Sequence, residues 1–240
     1  MLIRGTKLIL VGLVLTLSLA AAASASASPN SARTIGPPAA AAQTAPDAED
    51  PVVLPSRLAA AIRRTETGLG NAAEHVDEAE YTKAIVSLRA VRANLARADK
   101  AARHQMNAVP ADPEAETTPG PDSVIAALTL DQEAIVSVAG LFNGNSGTLV
   151  TALASTITSA QLIRDRLLNT IVALDPEGAG ADYSDGMADT LDGYADEVAN
   201  LTEAIADDKL SVGGKAALQT ALARSNATLA KINAAFGGGE

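Results

Sequence analysis

Apolar positions recur at three- and four-residue steps over six stretches of this chain. That is the period of an amphipathic α-helix, not the alternation of a half-buried strand. The first stretch begins at Ser56 and places Leu58, Ile62, Leu69 and Val76 on one face. The second, from about residue 80 to 106, does the same with Tyr81, Ile85, Leu88, Leu95, Ala98 and Ala102. The connection Asp77-Glu78 is short, so these two helices should form an antiparallel hairpin. A third helix is predicted over 122–142, capped by Asp122 or Ser123 and ended by Asn143-Gly-Asn-Ser-Gly147. A fourth, over 148–174, turns Leu153, Ile157, Leu167, Ile171 and Leu174 inward and stops at Asp175-Pro176.

The last two stretches have the most regular pattern. Met187, Leu191, Tyr194, Val198, Leu201 and Ile205 alternate four- and three-residue steps, and so do Leu218, Leu222, Ser225, Leu229, Ile232 and Phe236. Such rows are the seams of a bundle or coiled coil. Gly186 and Gly193 weaken the fifth helix but share a flank where another helix can approach closely. The expected fold is therefore all-α: an antiparallel bundle of about six helices spanning 56–236. In it the hairpin 56–108 packs on a four-helix unit 123–236 across a Pro-rich linker, 109–122, and residues 237–240 form a glycine tail.

Residues 1–27 break this pattern. Arg4 and Lys7 precede a nearly continuous apolar run from Leu8 to Ala23, closed by Ala23-Ser-Ala-Ser-Ala27, the layout of a secretory signal peptide. Cleavage is expected near Ala25 or Ala27, giving a secreted or cell-envelope protein. If the segment is kept, it becomes a membrane anchor and the Ala/Pro/Ser-rich stretch 28–55 its tether. The Ala-rich exported layout is similar to that of secreted proteins of high-GC Gram-positive bacteria, a likeness that implies no activity. Tyr81-x-x-Ala84 followed by Leu88 resembles about half of one tetratricopeptide unit, without its first-helix landmarks or a second copy.

Composition narrows the chemistry. The chain has no Cys, so it has no disulfide, thiol nucleophile or thiolate metal site. It has no Trp, three Tyr and two Phe, too few for the stacking platforms of single-stranded nucleic-acid binders, so nucleic acid is not an expected partner. His75 and His104 are the only histidines and neither lies in a catalytic or metal motif. No phosphate loop, nucleophile elbow, zinc-helix or EF-hand motif is present, and no cofactor is expected.

Charge placement is the distinctive signal. The net charge of −10 combines a basic second helix with an acidic remainder, since residues 131–240 hold fifteen acids against six bases. On the second helix Arg89, Arg92, Lys100 and Arg103 share an arc of about 80°, widened by Arg97 and Lys83. On the fifth, Asp182, Asp185, Asp189, Asp192, Asp196, Glu203 and Asp207 fall within a similar arc of about 80°. Three readings follow. The first is a non-catalytic binding or scaffold protein of the envelope, whose basic face meets an anionic polymer, a protein partner or the acidic ridge of a second copy. The second is a weak calcium binder through Asp185, Asp189, Asp192 and Asp196. The third is a hydrolase with paired carboxylates, which requires a buried acid beside a pocket, Glu133 being the first place to look.

Overall fold

The computed structural model describes residues 54–106, 119–173 and 183–236, and among these it is helical, with no strand. Six helices follow in order: α1 (Ser56–Asp77), α2 (Tyr81–Met106), α3 (Pro119–Gly140), α4 (Gly147–Val172), α5 (Ser184–Ala206) and α6 (Val212–Phe236). The signal segment, nearly all of the spacer, residues 107–118, Leu174, Asp182 and the glycine tail lie outside the described residues. For Pro119, Ser184, Asp185, Gly186, Ala188 and Asp189 only the helical backbone is described.

α3, α4, α6 and α5 pack in that order as a ring, each against the next. α2 lies against α3 and α4, and α1 against α2 and α3. One core runs through all six, with Leu88, Leu95, Leu128, Ile135, Phe142, Leu153, Leu167, Met187, Leu201, Leu218 and Ile232 buried. Each such side chain contributes about 1.5–3 kcal/mol through removal from water. α3 is long and apolar enough to cross a membrane by length and composition, yet most of it faces protein. Asp131 sits in its middle, buried.

The helices pack on a different line from the one their large side chains suggest. α1 buries Leu58, Ala61, Thr65, Gly68 and Ala72, while Ile62, Leu69 and Val76 flank the contact half-buried. A Cβ on Gly68 would come within 2.8 Å of Val91 Cγ2, so the α1–α2 approach depends on that glycine. In α5 the buried row is Met187, Thr190, Tyr194, Glu197 and Leu201, with Leu191 and Val198 at the flank. In α6 it is Leu218, Ala221, Ser225, Thr228 and Ile232, with Leu222 and Leu229 displaced. Small and short polar residues occupy the closest line because they allow close backbone approach, and branched aliphatics fill the grooves beside it. Gly193 works the same way: a Cβ there would lie 2.8 Å from Gln132 Oε1, whose amide Nε2 donates to Thr190 O at 3.2 Å.

Two boundaries differ from expectation. α3 starts at Pro119, not Asp122, because Pro119 and Pro121 fall in the first turn, where a missing N–H breaks no helical bond and the fixed φ suits the helix. Asp122 is then a first-turn acid and not a cap. Tyr81 opens α2 and is 46% exposed, because the turn before it points this residue outward. That turn is a Schellman motif. Ala79 N–H bonds Val76 O at 3.0 Å and Glu80 N–H bonds His75 O at 2.7 Å. Its left-handed residue is Ala79, at φ 58°, where glycine is usual.

Candidate anion-binding groove

The hairpin sets the first turns of α1 beside the last turns of α2. Arg57, Ala60, Ala61 and Arg64 recur at steps of three and four on α1, and Arg97, Lys100, Ala101 and His104 do so on α2. The two rows face one another across a groove of about 680 Å³. Alanine methyl groups form its floor; the long cationic side chains stand exposed around it. Four permanent positive charges line it, Arg57, Arg64, Arg97 and Lys100, and His104 adds a fifth when protonated. No Asp or Glu is among the lining residues.

Neighbouring groups orient these cations without neutralising them. Arg97 Nη1 donates to Oδ1 of Asn94 at 2.5 Å, and Asn94 is buried and uncharged, so the guanidinium is held in place at full charge. One of these cations runs against local helix preference, whereas His104, in the last turn of α2, accords with it. α1 has no acid in its first turn and no side-chain cap on Pro55, and it carries Arg57 where the helix dipole is positive. A cation there is unfavourable by about 0.3–1 kcal/mol. Like charges held together on one surface are an arrangement an incoming anion relieves. Seven residues along either row span about 10 Å, enough for more than one phosphate or carboxylate.

The remaining basic positions divide. Arg89 is exposed and Arg92 half-buried, both outside the groove lining. Arg103 is exposed but committed to an ion pair: its Nε and Nη2 donate to Asp99 at 3.0 and 2.6 Å, and Asp99 is buried. Of the acidic ridge, Asp192, Asp196 and Glu203 are exposed on α5. Asp207 turns instead to the α3–α4 loop, accepting Nδ2 of Asn143 at 2.5 Å. Asp182 is outside the described residues, and Asp185 and Asp189 are placed only by their backbone.

The second group of charges, which sequence reasoning missed, lies inside the ring. Arg164 of α4 is fully buried, and its Nη1 donates to both carboxylate oxygens of Glu197 at 2.8 and 2.6 Å. Its guanidinium stacks over the Tyr194 ring, 4.9 Å from the centroid. Ser225 donates to Glu197, while Arg164 Nη2 donates to the Thr228 hydroxyl at 3.3 Å. Gln161 reaches Ala221 O at 2.8 Å and Ser225 Oγ at 3.0 Å, fixing α4 against α6. Arg164 stands at a seam position of its helix, seven residues from Ile157 and from Ile171. Glu197 is three residues from Tyr194 and four from Leu201. A charge at a seam position was the signal for this pair.

Arg164–Glu197 and Arg103–Asp99 each balance their charge. Asp131 is the unmatched acid: its Oδ2 is buried with no hydrogen-bond partner, and burial pushes its carboxyl well above the usual range. The Arg164 charge opposes that rise, and the charges of Asp99 and Glu197 add to it. Glu133 is exposed on α3, its carboxyl raised by partial desolvation and by the charge of Glu66. The buried acids Asp99, Asp131 and Glu197 are all absent from the groove lining. Comparison with family models, with curated proteins and with solved structures finds no match, so any function must be argued from the groove itself.

Proposed function

We propose that this chain is a non-catalytic binding protein whose α1–α2 groove receives an extended polyanion, in the setting of the cell envelope to which residues 1–27 direct it. The observation that carries the reading is the groove lining, with four permanent cations and no carboxylate. An open, hydrated groove gives each cation–anion contact only about 1 kcal/mol. A single phosphate therefore binds weakly, and a polymer engaging several cations binds usefully. The lining contains no Phe, Tyr or Trp, the usual platforms for bases and sugar rings, and it selects chiefly by charge spacing.

The test is a titration of fluorescently labelled polyglycerol phosphate, an anionic wall-type polymer, onto the purified chain at low salt. Saturable binding that falls roughly tenfold or more in Arg64→Glu/Lys100→Glu supports the groove. Equal binding by that variant removes the groove from the account. A second reading is association between copies, basic groove to acidic ridge, supported by the exposure of Asp192, Asp196 and Glu203. It requires a monomer–dimer equilibrium that high salt dissociates, measured by sedimentation. Calcium binding at the ridge has weaker support. Among the described residues Asp192 and Asp196 do not converge with a third ligand.

A further inference from the structure

The opposite end of the hairpin, about 20 Å from the groove along α1, holds an unrelated cluster. His75 ends α1, Glu78 follows it and Glu80 precedes α2, and one ligand atom from each lies within 4.8 Å of the other two. We propose that His75, Glu78 and Glu80 form a binding site for a divalent transition metal, with zinc the best match.

The Schellman turn makes this site local and rigid. The Glu80 N–H to His75 O bond, at 2.7 Å, fixes the two ligand-bearing residues relative to each other. The left-handed Ala79 reverses the chain between Glu78 and Glu80, so both carboxylates return toward the imidazole. Glu80 Oε2 lies 3.1 Å from His75 Nδ1. Donor atoms on a tetrahedral zinc, each at about 2.0–2.2 Å, stand about 3.3 Å apart, so this pair already has the spacing of two ligands. Glu78 is exposed and has only to swing inward.

Two details suit a metal. His75 Nδ1 is buried and lies 3.1 Å from Glu80 Oε2 without a well-aligned hydrogen bond to it, which leaves that nitrogen able to take a metal as its partner. Glu80 uses its other oxygen for Lys83 Nζ, at 2.6 Å. A ligating carboxylate steadied through its outer oxygen is the usual arrangement behind a metal ligand. One imidazole with two carboxylates favours zinc, copper or nickel over calcium, which takes oxygen ligands and more of them. Three protein donors leave a fourth zinc position open to water.

Calorimetric titration of the full purified chain with zinc, in a buffer free of chelator and phosphate, tests the site. One zinc per chain is expected, with cobalt giving a visible absorption band and calcium no response. His75→Asn and Glu80→Gln should each weaken zinc by roughly tenfold or more with unchanged helical circular dichroism, and His104→Asn should leave it unaltered. No zinc binding up to about 1 mM, or undiminished binding by His75→Asn, overturns the proposal: His75 and Glu80 are then an ion pair only.

Discussion

Replacing Asp131 with Asn should stabilise the protein at neutral pH and change little in acid. Burial raises this carboxyl well above the ordinary aspartate value of 3.8, so the folded chain holds the proton more tightly than the unfolded chain does. Below the ordinary carboxylate range both states are protonated, and Asp131 carries no penalty. As pH rises through that range the unfolded state releases its proton first. Stability then falls by about 1.4 kcal/mol per pH unit until the folded carboxyl itself ionises. Whatever that second pH, the loss at pH 7 is at most about 4 kcal/mol. Asn keeps the shape and is always neutral, so it removes this penalty. It brings one extra amide proton to satisfy, worth about 1–3 kcal/mol against it. The net gain near pH 7.5 is therefore at most about 1–3 kcal/mol, shrinking toward zero or reversing near pH 4.5. Urea unfolding followed by circular dichroism at several pH values measures it. A variant whose effect does not vary with pH refutes a raised carboxyl at Asp131.

Other consequences are equally checkable. Glu197→Gln leaves Arg164 buried without its counter-charge and should cost about 3–5 kcal/mol, whereas Arg164→Met/Glu197→Leu should recover most of that loss in the same unfolding assay. Ala79→Gly relieves a left-handed alanine worth about 1–2 kcal/mol and adds about 0.4–1 kcal/mol of unfolded-state entropy, so a net gain of roughly 0.5–1 kcal/mol is expected by thermal unfolding. Gly68→Ala drives a methyl against Val91 and should lower the melting temperature, although alanine is the better helix former; an unchanged or higher value would mean that α1 and α2 separate freely.

The helices were legible because each carries a face of period 3.6, and the short Asp77-Glu78 link was enough to pair the first two. Which side chains lie innermost was not. Leu191, Val198, Leu222 and Leu229 are the larger apolar residues of their rows, yet the contact line passes through Thr190, Glu197, Ala221 and Thr228. Packing between helices decides that, and a hydropathy pattern taken one helix at a time omits the partner. Arg164 and Glu197 were missed for the same reason, each tolerable in a seam only because the other occupies the facing seam. In the groove Arg97 and Lys100 were visible as part of a basic face. His104 shares their row on α2, and Arg57 and Arg64 join them only once the hairpin brings the start of α1 to the end of α2.

The central claim, a groove that binds polyanions through several cations at once, is tested most directly by the salt dependence of polyglycerol phosphate affinity. Each displaced counterion steepens the fall of log K with log salt, and four contacts predict a slope of about −3. Arg64→Glu/Lys100→Glu should flatten it by about half. A slope near zero, or a steep slope that the double variant leaves unchanged, would contradict binding at this groove.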